Sequence, residues 1–261
     1  MPKFCANLSM MFGEVAFPDR FAAAAKAGFT GVEYWLPYAY STQELVDRLK
    51  GNGLVQVLFN LPAGDWDGGE RGIAVMPDRV GEFQDGVGRA IDYAKALDCR
   101  VLNCLVGKTP AGVDPARVHE TLIANLRFAA RALGRAGITM AIEAVNTQDV
   151  PGFHISTTRQ ALEVIDEVGE PNVAYLWDIY HMQIMEGNLI KTMRDHLPRI
   201  AHMQLADNPG RHEPGTGEIN FPNLFAAIDA AGYTGWIGCE YRPKGTTVEG
   251  LGWMTPYRGN A

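Results

Sequence analysis

Cysteine is scarce, and its four copies at Cys5, Cys99, Cys104 and Cys239 form no CxxC pair. Three of them sit inside apolar segments, so they read as buried free thiols of a protein held in a reducing compartment. Positive charge is also in deficit. Lys and Arg total 23 against 30 Asp and Glu, a net charge of −7, with no Lys/Arg run. A chain of that balance is a poor binder of phosphate backbones, and no nucleic-acid partner is expected. No apolar stretch approaches the ~20 residues a bilayer span needs, so no membrane partner is expected either. The opening MPKFCANLSMMFGEVAF lacks a charged segment followed by a long apolar core. No secretion signal is read there, and the expected location is cytoplasmic. The turn after the first apolar run carries only Gly13, too little glycine for a dinucleotide-binding fingerprint. Lys108 and Lys244 follow apolar runs without lying inside one, which leaves a desolvated Schiff-base lysine unsupported.

What is present is ordinary globular composition, 47% hydrophobic and 20% charged, with length for a sizeable core. Short apolar runs predict strands at Phe4–Ser9, Gly31–Trp35, Val55–Asn60, Arg100–Val106, Thr139–Val145, Val173–Asp178, Ile200–Ala206 and Trp236–Tyr241. Amphipathic stretches between them predict helices at Pro18–Ala27, Thr42–Asn52, Asp78–Leu97, Asp114–Ala136, Thr158–Val168, Asn188–His196 and Pro222–Ala231. Pro18, Pro115 and Pro222 stand where a first helical turn has no need of that N–H. Gly28, Gly137 and Gly232 stand where helices end in a left-handed residue. The phrases AKAGFTGVEY, GRAGITMAIE and DAAGYTGWIGCE each read helix, glycine turn, strand. Eight such units without a linker predict an α/β fold, a closed (β/α)₈ TIM barrel forming a single domain over 1–261. An open doubly wound sheet is the alternative that pattern alone leaves standing.

One connection is out of scale. Roughly 17 residues, LPAGDWDGGERGIAVMPD, follow the third strand before helical periodicity resumes, and a loop of that length in a compact domain is usually functional or disordered. It is expected either to roof the barrel mouth as a lid or to make a plain surface excursion. The aromatic segments Tyr34–Tyr40 and Trp253–Tyr257 suit barrel-rim packing, the lid, or the interface of a homo-oligomer.

Active sites of such barrels lie at the C-terminal ends of the strands. Polar residues in those places are Glu143 in AIEAV, Asp178 in AYLWD, His202 and Gln204 in IAHMQLAD, and Glu240 in WIGCEY. Each carboxylate alone could cap a loop or pair with an arginine. Together, Glu143, Asp178 and Glu240 would repel one another without a counter-ion. A divalent cation resolves that conflict, and the oxygen-only set completed by Gln204 suits Mg²⁺ or Mn²⁺ better than zinc. His181, three residues beyond Asp178, is a candidate hydrogen-bond partner of substrate or a structural histidine. In DNPGRHEPGTGEINF, Arg211 could fork a substrate carboxylate or pair with a neighbouring acid. Gly215 and Gly217 could offer backbone N–H groups to an anion or merely form a turn. Arg71 and Lys108 are further cations able to take a substrate carboxylate.

These segments in this order resemble the hydroxypyruvate isomerase family, including 2-oxo-tetronate isomerase-like members, among the xylose-isomerase-like barrels. The likeness runs through NLSMMFGEVAFPDRF, AGFTGVEYWLPY, GDWDGGERGIA, AIEAVNTQDVPGF, WDIYHMQIMEGNL, HMQLADNPGRHEPGTGEINF and GWIGCEYRP. It implies that Glu143, Asp178, Gln204 and Glu240 bind the metal and that Glu143 and Glu240 also move the proton. Related sugar epimerases place His where Gln204 stands, and Gln is similar to the hydroxypyruvate isomerase-like members. The implied reaction is a metal-dependent aldose–ketose-type isomerisation of a small hydroxy-oxo acid through a cis-enediolate. Hydroxypyruvate to tartronate semialdehyde, and a 2-oxo-tetronate to its 3-oxo isomer, are both consistent. A ketose 3-epimerase on the same site is the alternative within the fold. A metal-dependent phosphodiesterase resembling barrel-type endonucleases is the alternative from another class; it would want several zinc ions, more histidines and a basic groove.

Overall fold

A computed structural model describes residues 1–257. Residues 258–261, the end of the expected domain, lie outside the described residues. Eight strands close into one parallel barrel in sequence order, the last pairing with the first. They are β1 (Lys3–Asn7), β2 (Gly31–Glu33), β3 (Val55–Asn60), β4 (Val101–Cys104), β5 (Thr139–Glu143), β6 (Val173–Asp178), β7 (Ile200–Leu205) and β8 (Trp236–Cys239). Closure removes the open-sheet alternative.

The surrounding helices are α1 (Phe17–Lys26), α2 (Thr42–Gly51), α3 (Val80–Leu97), α4 (Pro115–Arg135), α5 (Thr158–Val168), α6 (Ile179–Met185), α7 (Leu189–His196) and α8 (Phe221–Ala230). Their starts are chemically marked: the side chains of Ser41, Asp114, Thr157 and Asn220 each accept a backbone N–H of the first turn, satisfying donors with no partner inside the helix.

Two differences from the predicted elements have physical causes. Six of the eight strands are shorter than their apolar runs, because Ser9, Trp35, Val106, Val145, Ala206 and Tyr241 have already left the sheet to build the mouth. Helix α6 is absent from the predicted set. It begins directly after β6, capped by the last residue of that strand, so no turn signal separates the two.

The core has two parts. A large sheath between strands and helices is filled by residues such as Phe21, Phe59, Trp177 and Phe225. A smaller cluster of Cys5, Val57, Leu58, Ala141 and Leu176, with Val101 against it, is separate from the sheath. Because side chains alternate in direction along a strand, the residue two positions further shares a face. Cys5 is thus followed by Asn7, Leu58 by Asn60, Val101 by Asn103, Ala141 by Glu143 and Leu176 by Asp178. An apolar floor therefore lies under a polar ring at the C-terminal end of the barrel. The aromatic tail packs within the chain: Trp253 meets Phe4 edge-on at 5.0 Å and Tyr257 meets Phe225 at 5.0 Å.

The long connection after β3 folds back across the mouth and docks on the turn after β4. At the contact Gly72 has φ +109°, and a Cβ there would lie 1.8 Å from the Leu105 carbonyl oxygen. A Cβ on Gly107 would in turn lie 2.4 Å from the Gly72 carbonyl oxygen. Gly72→Ala therefore combines a backbone clash with a φ only glycine accepts. We expect it to destabilise the fold by about 2–4 kcal/mol, seen as a lowered thermal midpoint and faster hydrogen exchange confined to residues 61–76.

Candidate active site

Four strand ends deliver the chemistry. Glu143 closes β5, Asp178 closes β6, Gln204 lies near the end of β7 and Glu240 follows β8. All are buried. One ligand atom from each of Glu143, Asp178, His181 and Glu240 lies within 4.8 Å of the others.

Each side chain is held from outside the cluster. Asp178 Oδ1 accepts the backbone N–H groups of Tyr180 (2.8 Å) and His181 (3.2 Å), capping α6. Its Oδ2 lies 3.6 Å from His181 Nε2. Asn103 Nδ2 donates to Glu143 Oε2 at 2.8 Å. Glu240 Oε1 accepts from Trp35 Nε1 and from Asn7 Nδ2 (3.2 Å). Its Oε2 accepts from Arg211 at 2.8 Å. His181 Nδ1 takes the backbone N–H of Asn146 (3.3 Å) and contacts its side-chain Nδ2 (2.6 Å). With Nδ1 serving as acceptor, a neutral ring carries its proton on Nε2, 3.6 Å from Glu143 Oε1.

The electrostatics follow from crowding acids into a dry place. Burial, with Glu240 and Asp178 adding, holds the Glu143 carboxyl well above its usual range. Burial pushes Glu240 up to about 8, against the pull of Arg211. Burial likewise drops His181 to about 4, keeping the imidazole neutral near pH 7.

The donor set fits a hard divalent cation. Three carboxylates converge, one of them, Glu240, paired with Arg211, and among the described residues the buried Oε1 oxygen of Gln204 has no hydrogen-bond partner. A buried acceptor left unsatisfied costs about 1–3 kcal/mol, and an oxygen-seeking ion beside three carboxylates would satisfy it.

Above the cluster opens a cavity of about 600 Å³. Its wall includes His181, Arg211, Arg71 and Lys108, and also Trp35, Trp66, Asp149, Tyr180 and Arg242. The long loop roofs one side. Trp66 packs on Trp35 with ring centroids 5.1 Å apart, Arg71 lies 3.8 Å over the Trp66 ring, and Lys108 Nζ donates to the Gly69 carbonyl at 2.9 Å. Arg211 is engaged by acids, with Glu240 at 2.8 Å and Asp149 at 3.7 Å, and lies 5.0 Å from the Tyr180 ring centroid. Among the described residues neither Arg71 nor Lys108 has a carboxylate within ion-pair distance.

Of the two readings left open for Gly215 and Gly217, the turn holds. The N–H groups of Gly215 and Gly217 bind no external anion, because both donate to Asp207 Oδ2, at 2.8 and 2.9 Å. Asn208 and Ile219 donate to Asp207 Oδ1, so a buried carboxylate of the chain itself organises this loop. Glu33, Asn7 and Asn103 are site residues that the sequence analysis does not single out, while Trp35 falls in the aromatic segment 34–40 expected at the rim, the lid or an interface. The rule that found Glu143 would have found Asn7 and Asn103, since KFCAN and VLNC also place a polar residue late in an apolar run.

The fold is a closed barrel with a cluster of buried acids at its C-terminal mouth, and residues 21–257 match the xylose isomerase-like TIM barrel family. The chain is 55% identical over 99% of its length to all of the hydroxypyruvate isomerase of Escherichia coli K12. It is 46% identical over 99% of its length to all of the 2-oxo-tetronate isomerase of Cupriavidus necator. A solved structure described as an AP endonuclease, family 2, from Brucella melitensis superposes with a TM-score of 0.96 at 47% identity, covering 99% of this chain and 100% of that one. The chain belongs to the hydroxypyruvate isomerase family and is an isomerase.

Proposed function

We propose that this enzyme isomerises a small hydroxy-oxo acid, interconverting hydroxypyruvate with tartronate semialdehyde, and that the same site admits a 2-oxo-tetronate. The observation that carries the reading is the pairing of two buried glutamates, Glu143 and Glu240, in one cluster with Asp178 and His181, beneath a rim where, among the described residues, Arg71 and Lys108 have no carboxylate within ion-pair distance. A free ketose has no group to answer those two cations. The phosphodiester alternative finds one histidine, His181, in the cluster rather than several, and a net charge of −7.

The reaction moves one proton between adjacent carbons while carbonyl and hydroxyl change places. Glu143, Asp178, Gln204 and Glu240 would hold Mg²⁺ or Mn²⁺, which supplies polarisation of the substrate oxygens and stabilisation of the charge that builds on them. One glutamate takes the proton from the carbon bearing the hydroxyl, the other gives a proton to the neighbouring carbon, and the hydroxyl proton passes to the former carbonyl oxygen; exchange with solvent after product leaves returns both glutamates to their starting states. Carboxyls pushed upward by burial suit that exchange, since each must both take and give near neutrality. His181 presents its Nε2–H to a substrate oxygen, a role that needs the neutral tautomer Asn146 imposes. Trp35, Trp66 and the roofing loop keep water from the enediolate. Lys108 and Arg71 hold the substrate carboxylate.

NMR in D₂O with added Mg²⁺ or Mn²⁺ tests the proposal on hydroxypyruvate, a 2-oxo-tetronate and a free ketose. Metal-dependent conversion of an oxo acid, with deuterium entering at the carbon that receives the proton, is expected. Turnover of the ketose alone would replace it with an epimerase, and turnover of none would end it.

Lys108→Met separates binding from chemistry. A charged hydrogen bond is worth about 1.5–3 kcal/mol, so KM for the acid should rise roughly 10- to 100-fold with kcat nearly unchanged. A fall in kcat with KM constant would move Lys108 from recognition to catalysis.

A further inference from the structure

Glu33 is the last residue of β2, fully buried, and absent from the cavity wall. Four donors converge on its carboxylate: His202 Nε2 at 2.6 Å, Gln204 Nε2 at 2.8 Å, Asn7 Nδ2 at 3.0 Å and Cys5 Sγ at 3.6 Å. The fold makes special room for it. The pairing of β2 with β3 shifts register between Val32 and Glu33. On β8, a Cβ at Gly238 would lie 2.3 and 2.4 Å from the two Glu33 carboxylate oxygens. A larger residue at that point of β8 would evict the carboxylate.

A carboxylate only accepts hydrogen bonds, whereas a side-chain amide has a donating end and an accepting end. Placed beside Gln204, Glu33 draws the NH₂ group toward itself and turns the amide oxygen away. That oxygen is then buried with no hydrogen-bond partner among the described residues, on a side chain that lines the cavity. Glu33 acts the same way on Asn7, whose NH₂ is shared between Glu33 Oε1 at 3.0 Å and Glu240 Oε1 at 3.2 Å. One buried acid thus fixes two amides, one donating to Glu240 and the other on a side chain that lines the same cavity as Glu143 and Glu240.

We propose that Glu33 is a positioning residue that makes Gln204 an oxygen ligand, by pinning the NH₂ end of its amide beneath the cluster. The inference rests on the cation reading of the site given above. Without an acceptor at position 33 the amide is free to turn, presenting N–H groups to a cation and losing the fourth oxygen.

The test is Mn²⁺ binding to the full chain, followed by the electron paramagnetic resonance signal of the free ion. Four proteins are compared: wild type, Glu33→Gln, Gln204→Glu and the double variant. Partners of this kind typically cost 10- to 100-fold in metal affinity when removed, so Glu33→Gln should weaken Mn²⁺ binding about that much. A carboxylate at position 204 has no wrong end, and it meets Glu33 oxygen to oxygen, a repulsion that Glu33→Gln relieves. In the Gln204→Glu background, Glu33→Gln should therefore weaken binding by less than about threefold, a coupling that general damage to the barrel does not produce. The inference is overturned if Glu33→Gln binds Mn²⁺ as wild type does, or if the same loss appears in both backgrounds. Should Glu33→Gln fail to fold, the double variant against Gln204→Glu decides alone: equal affinities support the inference, and a tenfold loss overturns it. Failure of the wild type to bind Mn²⁺ overturns the cation reading and this inference with it, an outcome distinct from wild-type binding that Glu33→Gln leaves intact.

Discussion

Glu143→Gln should lower kcat on the preferred oxo acid by about 10²–10⁴, the usual worth of a positioned acid–base group, without lowering the thermal midpoint of the cation-free protein. The two halves have one cause. Burial beside Glu240 and Asp178 holds the Glu143 carboxyl above its usual range. An acid whose folded value is raised costs stability once pH exceeds its unfolded value, because the unfolded chain ionises freely and the folded one resists. An amide of the same shape carries no such cost and still reaches Asn103 across the 2.8 Å contact with Oε2. At pH 7 and without added metal, the variant should melt at or above the wild-type temperature. Kinetics near wild type would remove Glu143 from the proton-transfer step. Collapse of the midpoint would mean that the carboxylate serves the fold.

Removing divalent metal with a chelator should have an effect as large. Electrostatic stabilisation of the developing charge is worth several kcal/mol, so activity should fall on the order of 10³-fold and return with Mg²⁺ or Mn²⁺. The companion measurement needs no substrate. Saturating Mn²⁺ at about 100 times its dissociation constant adds about 2.7 kcal/mol to the folded state. For a chain of this size that raises the thermal midpoint by roughly 5–10 °C. Asp178→Asn should abolish most of that rise while leaving the cation-free midpoint nearly intact. The amide oxygen can still accept the N–H groups of Tyr180 and His181 that Asp178 Oδ1 now caps. Activity indifferent to chelation in a demonstrably metal-free sample would assign the carboxylate cluster another purpose.

The barrel was legible in the sequence because each strand is a short apolar run closed by a turn, and helix starts carry proline or a capping side chain. Glu143, Asp178, Gln204 and Glu240 were legible for the related reason that a polar residue at the end of a buried strand is anomalous. What escaped was whatever depends on neighbours distant in the chain. Glu33 in GVEYW looks like another strand-end acid until Cys5, Asn7, His202 and Gln204 are seen to surround it. Arg211 left two partners open, and only the fold places it against Glu240 and Asp149. Gly215 and Gly217 are correctly a backbone donor pair, but the anion they serve, Asp207, lies eight and ten residues earlier rather than in a ligand. Periodicity reports which face a residue occupies and is silent on what meets it there.

The two-storey interior has a consequence for anyone wishing to give this scaffold new work. Cys5, Leu58, Ala141 and Leu176 pack together one step below the polar ring at the mouth. Swapping the upper storey therefore need not disturb the lower. The exceptions gather at Glu33, which accepts from Cys5 Sγ below and takes, on β8, the space that Gly238 yields. There the two storeys are coupled, and a library that randomises the mouth should keep glycine at that one position.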